Sequence, residues 1–418
     1  MTTRSRGTLI AAGIMVLAIG LCVRFPITSV SPILTSLGDH FGLGETGLAI
    51  LTATPVLLFG LASPIAPFLV RRLGLEGALL LLLIALAVAG LLRPLSTPLL
   101  FVGTVVVGAA IALLGILAPQ LIRHFLDKRA GLWTGIYTTS FGISAAVGAA
   151  LTVPLFHALH DEASLTLVAW GIPLALSAAV GAILLPRLHA AAPAATSSAR
   201  TQAGPITRAP GLFAVTGFFG CQALIYFSLT SWLPTVYTDR GLAPADAGLL
   251  LALMSVAGLP ASLLAPTLAA KPALRTPLIM GLSILSAIGL MGVAFGPTAL
   301  APLAVSLLGI AQSAAFGIAI GLIIFTAPSV AQTSAFSAFA QGAGYTLAAL
   351  GPLAMGLLAA AGVPWSLIVG GLIVAVIGEA CFGVAGSRRR GRRSVAWARR
   401  TTSRHRYATA SPAPAPSA

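Results

Sequence analysis

The stretch "GLCVRFPITSVSP", residues 20–32, sets an arginine and two prolines inside an otherwise apolar run. A guanidinium near the middle of such a run costs about 2.5–3.5 kcal/mol on insertion scales, so Arg24 calls for a partner or a water-filled cavity. The same stretch also recurs further along. "TSVSP" (Thr28 to Pro32) matches "TSWLP" (Thr230 to Pro234), and the "GLGETGLAIL" after the first resembles the "GLAPADAGLLLAL" after the second. Ala118-Pro119 and Ala327-Pro328 then close later segments in the same order. A common offset of about 200 residues reads as a duplication, one half of the chain repeating the other.

Composition fixes the medium in which the halves sit. The chain is 57% hydrophobic and 8% charged with a mean hydropathy of +1.00, whereas a soluble domain carries about 25% charged residues. Apolar segments fall at about 8–36, 46–69, 77–95, 97–122, 131–155, 165–186, 211–237, 245–269, 276–295, 299–325, 336–361 and 364–386. Each is long enough to cross a hydrocarbon core, which takes about 20 helical residues. They are continuously apolar rather than alternating, which favours helices over barrel strands. The first contains Arg24 and has no small-residue cleavage site, so it reads as the first spanning helix and not a removed signal. The expected fold is therefore an all-α membrane protein with twelve transmembrane helices in two pseudo-symmetric six-helix halves.

The domain expectations follow. Residues 1–187 form the N-terminal half, 188–210 a linker rich in Ala, Ser, Thr and Pro, 211–386 the C-terminal half, and 387–418 a basic disordered tail. With both termini inside, twelve Lys and Arg fall in inner segments before the tail is counted, against Arg93 and Arg240 in outer loops. That asymmetry predicts a multi-pass protein of a bacterial cytoplasmic membrane with cytoplasmic N- and C-termini. The net charge of +15 is thus mostly topology. The tail's nine Arg suit anionic lipid and call for no nucleic acid.

Polar residues pick out the faces turned to a cavity. Arg24, Thr28, Ser31 and Thr35 share one face of the first segment, and Gln222, Tyr226 and Thr230 one face of the seventh. The repeat sets Tyr226 opposite Arg24 and Thr230 opposite Thr28. Gln312 stands at the centre of the tenth segment and Tyr137 on the fifth, followed by Thr138 and Thr139. The candidate substrate-binding set is Arg24, Thr28, Tyr137, Gln222, Tyr226, Thr230 and Gln312. No carboxylate is expected at the depth of Arg24. Glu379, the one acid within a span, lies late in the twelfth segment, displaced toward the cytoplasm.

Other chemistries find little footing. Cys22, Cys221 and Cys381 lie in apolar runs without metal-ligand spacing, and the six histidines make no metal or nucleophile constellation. No Walker loop is present, so neither an enzyme nor an ATP-driven pump is expected, and no cofactor or metal. A receptor on a transporter scaffold would be marked by an added signalling domain, which the short tail does not supply.

Three stretches carry a family resemblance: "VRFPITSVSPILTSL" with "GLAILTATPVLLFGLASPIAPFLVRRLGLE", "APQLIRHFLDKRAGLWTGIYTTSFGISAAVGAALTVPL", and "SWLPTVYTDRGLAPADAGLLLALMSVAGLPASLLAP". The sequence resembles the cyanate and 2-nitroimidazole transporter branch of the major facilitator superfamily over about residues 10–385. The resemblance implies a twelve-helix permease for a small, often anionic or polar solute, with Arg24 as a ligand. Parallel six-helix repeats with a midplane site between them are how such transporters are built. The superfamily's G-x-x-x-D-R-x-G-R-R loop is altered here. "PFLVRRLGLEG" keeps Arg72 and Gly74 but has Arg71 where the Asp stands. Proton-driven drug exporters of the superfamily carry an Arg in the fourth helix, and "GTVVVGAAIALLG" has none.

The function expected is secondary active transport of a small anionic or polar solute across the cytoplasmic membrane by alternating access, in a monomer, with Arg24 at the central site. The competing expectation is a proton-coupled exporter of neutral or cationic drug-like compounds, which needs a titratable residue on the cavity.

Overall fold

The computed structural model describes residues 5–191 and 206–387. Most of the expected linker and all of the basic tail beyond Ser387 lie outside the described residues, so the domain boundaries there carry no structural account.

Apolar runs of this length bond their own backbone, because lipid offers no partner for a free N–H or C=O. The spans in chain order are α1 (Arg6–Cys22), α2 (Glu45–Leu61), α3 (Ile65–Leu92), α4 (Thr97–Phe125), α5 (Ala130–Ala158) and α6 (Ala163–Ala191). After the gap come α7 (Leu212–Asp239), α8 (Pro244–Ala257 with Leu259–Ala269), α9 (Pro272–Phe295), α10 (Ala301–Thr326), α11 (Thr333–Ala360) and α12 (Trp365–Ser387). Among the described residues, eleven helices are long and apolar enough to cross a membrane. The expected segment without a counterpart among these eleven is the second, 46–69, where α2 is a helix of 17 residues. A bend at Ala62–Pro64 joins it to the start of α3, and Gly74 at φ 75° then turns the chain where the altered loop motif was read. The outer faces carry large apolar side chains in the open, such as Leu61 at 73% and Val374 at 75% exposure, as suits helices facing lipid.

The first segment departs from expectation. It is not one helix over 8–36. α1 stops at Cys22, a single turn spans Phe25–Thr28, and a separate helix covers Leu34–Phe41. Pro26 has no N–H to give to Cys22, and the ladder opens at Arg24. Its counterpart in the repeat is Ser228, and α7 runs on unbroken.

The two halves meet at one end. Thr138 Oγ1 donates to the Ser262 carbonyl at 2.9 Å, and the Thr139 and Ser262 hydroxyls lie 2.9 Å apart, locking α5 to α8. Gly342 of α11 packs on Ser63, and Gly60 of α2 on Thr346. Arg123 Nη1 donates to Thr333 Oγ1 at 3.1 Å between α4 and α11. All these contacts lie in the first part of α5 and α11 and the last part of α2, α4 and α8. Toward the other end, α5 packs within its own half, Gly148 against Phe25 and Thr28, while α11 packs on Ser228 and Trp232 of α7. Among the described residues, the contacts named between the halves thus gather at one end, which they seal.

Candidate functional site

The opened turn of α1 is held by α5. Ser144 Oγ accepts from the N–H of Phe25 at 2.9 Å and of Arg24 at 3.3 Å, and donates to the Leu21 carbonyl at 2.6 Å. One hydroxyl therefore satisfies three backbone groups that the break in α1 leaves without helical partners. Thr28 Oγ1 adds bonds to the carbonyls of Ala145 at 3.1 Å and Arg24 at 3.4 Å.

This leaves the Arg24 side chain free to project between the halves. Its guanidinium carbon stands 5.1 Å from the Phe141 ring centroid of α5 and 5.9 Å from that of Phe227 of α7. Aromatic faces attract a cation without neutralising it, by about 0.5–2 kcal/mol each. Among the described residues the ion pairs are His157–Asp161 and His189–Glu76, so Arg24 has no carboxylate within bonding distance. Its forked donors remain available.

Beside it lies a cavity at the junction of the halves, lined by Val23, Phe59, Gly115, Tyr137, Phe141, Phe316, Gln341 and Tyr345 among others. Its walls form a linked aromatic shell. Phe59 stacks on Tyr345 at 5.1 Å, Phe219 meets Tyr345 edge-on at 5.0 Å, and Phe141 lies 5.4 Å from Phe316. Phe227, 6.1 Å from Tyr345, ties that shell to Arg24. Gln341 Nε2 donates to Ser337 Oγ at 2.7 Å and to the Gly115 carbonyl at 3.3 Å, which fixes its amide. Flat apolar faces beside one cation offer stacking surfaces and a fork of donors for an electron-rich group.

The sequence candidates separate into groups. Arg24 and Tyr137 stand at this cavity, Arg24 on its Phe141 wall and Tyr137 in its lining. Thr28 faces α5 and bonds backbone there. Gln222 Nε2 donates to the Gln312 carbonyl at 3.1 Å, and Gln312 Nε2 to Ser286 Oγ at 2.8 Å, so these two amides bond within the C-terminal half. Tyr226 lies edge-on to Phe227, and Thr230 Oγ1 bonds the Phe227 carbonyl of its own helix. The residues that polar-stripe reasoning left out are Phe59, Phe141, Phe219, Phe227, Phe316, Gln341 and Tyr345. Tyr345 and Gln341, polar groups four residues apart within α11, offered the one signal of the kind used for α1 and α7.

Comparison with known proteins bears on what such a cavity serves. The chain matches the family model of the Major Facilitator Superfamily over residues 16–352. It is 33% identical to the uncharacterized transporter YycB of Bacillus subtilis (strain 168), covering 87% of this chain and 90% of that one. It is 32% identical to the 2-nitroimidazole transporter of Escherichia coli (strain K12), with 90% and 95% covered. The cyanate transport protein CynX of the same strain is 28% identical, with 82% and 89% covered. Among solved structures, FucP in the outward conformation superposes with a TM-score of 0.72 at 13% identity, covering 91% of this chain and all of that one. The proton:xylose symporter XylE does so at 0.68 and 15% identity, with 91% and 94% covered, which carries the fold. The chain belongs to the Major Facilitator Superfamily and is a membrane transport protein.

Proposed function

We propose that this major facilitator carries a small, flat, anionic or strongly polar solute by alternating access, with Arg24 as its ligand at the centre. The observation that carries the reading is the position of that guanidinium, unpaired at a break in α1 and set between Phe141 of one half and Phe227 of the other. A cation whose two aromatic neighbours belong to opposite halves has its surroundings changed whenever the halves rock, which is what a carrier needs of its binding residue. The one-ended seal through Thr138, Thr139 and Ser262 supports the same cycle, since breaking it would open the opposite side.

The relatives' names fit this chemistry. Cyanate is a rod-shaped anion and 2-nitroimidazole a flat ring with a nitro group, and both present electron-rich oxygen on a thin body. Tyr137 completes the site from the cavity wall, while Gln222, Gln312, Tyr226 and Thr230 shape the C-terminal half behind it. The distribution of basic residues supports termini on the cytoplasmic face of a bacterial cytoplasmic membrane, halves at 1–187 and 211–386 joined by 188–210, and a tail on anionic lipid. The sealed end is then the cytoplasmic one. The protein works as a monomer in this reading, since each chain holds a whole site.

The test is binding of cyanate and 2-nitroimidazole to purified wild-type and Arg24→Ala protein, with uptake into proteoliposomes. Binding of either probe that Arg24→Ala abolishes is the expected result. Equal affinity in the folded variant would remove Arg24 from the site and the anion reading with it.

A further inference from the structure

Arg93 belongs by sequence to a connecting loop, yet it is only 3% exposed. It follows α3 in the 3-10 turn Arg93–Leu95, and its stem presses on α4 at Gly103, where an added Cβ would overlap the Arg93 Cβ. Nη1 donates to the Pro26 carbonyl at 3.2 Å, while Nε is buried without a hydrogen-bond partner. Neither ion pair among the described residues involves it. A buried guanidinium with spare donors and no counter-charge is costly, and one neutral carbonyl offsets little of that cost.

A cavity opens beside it, lined by Arg93 with Pro26, Pro55, Thr104 and Val107 among others. It stacks on the Arg24 cavity along the same helices. Val23 lines the central cavity and Pro26 this one, Phe59 that and Pro55 this, Ile111 that and Val107 this. Each pair is three or four residues apart, so the step is about one helical turn, about 5.4 Å. The step leads away from the seal at Ser63, Thr138 and Ser262, toward the opposite end of the helices.

We propose that the Arg93 cavity is a second anion subsite, one turn from the central one on the unsealed side, which takes a small monovalent anion, or the electron-rich end of the same solute, before or after Arg24 does. Two cavities one turn apart, one beside Arg24 and one lined by Arg93, neither guanidinium in an ion pair among the described residues, form a relay in which the solute exchanges one cation for the next and never crosses the apolar shell unpaired. The relay's order rests on the Arg24 reading. The existence of the Arg93 subsite does not.

Equilibrium dialysis of purified full-length protein against radiolabelled thiocyanate, in gluconate buffer, counts the sites. Two per chain are expected in the wild type, one in Arg93→Gln and one in Arg24→Ala. Two sites in folded Arg93→Gln, or a single wild-type site that Arg24→Ala removes, would make Arg93 a brace for the Pro26 carbonyl and overturn the proposal. A single site that survives Arg24→Ala and vanishes in Arg93→Gln would keep the subsite and remove the central reading instead. No bound thiocyanate would overturn both. Should Arg93→Gln fail to fold, bromide-soaked crystals of the wild type decide: anomalous density beside the Arg93 guanidinium is expected, and its absence overturns the subsite.

Discussion

The Ser144 hydroxyl of α5 accepts the Phe25 N–H at 2.9 Å, and through this bond the fifth helix holds the first one open. The contact is specific to an interrupted helix, since in a continuous ladder that N–H would be spent on the carbonyl four residues before it. Ser144→Ala leaves the N–H groups of Arg24 and Phe25 and the Leu21 carbonyl without this partner. The expected outcome is a loss of about 1–2 kcal/mol of stability, and weaker solute binding as Arg24 shifts. Thermal unfolding in detergent and a binding isotherm measure the two. An unchanged isotherm would mean that Arg24 keeps its place without Ser144.

Phe141 and Phe227 hold the Arg24 guanidinium from opposite halves, and each is expected to contribute through its ring face rather than its bulk. Phe141→Leu and Phe227→Leu keep an apolar side chain and remove the quadrupole. Each should weaken solute binding by about 0.5–2 kcal/mol, and Phe→Tyr at either position by less. Equal affinities across the Leu and Tyr variants would show that the rings serve only to fill space.

The repeat and the placing of an arginine within a span were legible because both are one-dimensional signals: a recurring pentapeptide, and one Arg in an apolar run. The break in α1 was harder to read. Pro26 opens a helix and Pro234 does not, and the difference lies partly in Ser144, more than a hundred residues from the break. The aromatic walls were illegible for another reason. In a span that is apolar all round, no periodicity separates a phenylalanine facing the cavity from one facing lipid. Phe59 is 5% exposed and Phe68, nine residues on, is 55% exposed. The same lack of a face let Gln222 and Gln312 be read as cavity groups, whereas their amides bond inside the C-terminal half.

Thr139 of α5 and Ser262 of α8 bring their hydroxyls within 2.9 Å across the seal. Replacing both by cysteine, in a background without Cys22, Cys221 and Cys381, sets two thiols close enough to oxidise to a disulfide. Alternating access requires α5 and α8 to part, so the oxidised double variant is expected to lose uptake and regain it on reduction. Binding of solute from the unsealed side should persist in both forms. Full uptake by quantitatively cross-linked protein would show that the halves open elsewhere.

Glu379 of α12 is 1% exposed, lies against the Gln312 side chain, and leaves Oε2 without a hydrogen-bond partner. No cation pairs with it among the described residues, and it is absent from the lining of both cavities. A charge in such a place has nothing to offset its desolvation, while an amide of the same shape fits the same space and keeps a partner in Gln312. Glu379→Gln is therefore expected to insert and fold with at least wild-type stability, and to leave the pH profile of uptake unchanged. Proteoliposomes with an imposed proton gradient measure the second point. If the variant folds normally but no longer accumulates solute under that gradient, Glu379 is the coupling group. The path from it to the cavity would then run through Gln312 and its bonds to Gln222 and Ser286, and the proton-coupled exporter would become the better reading.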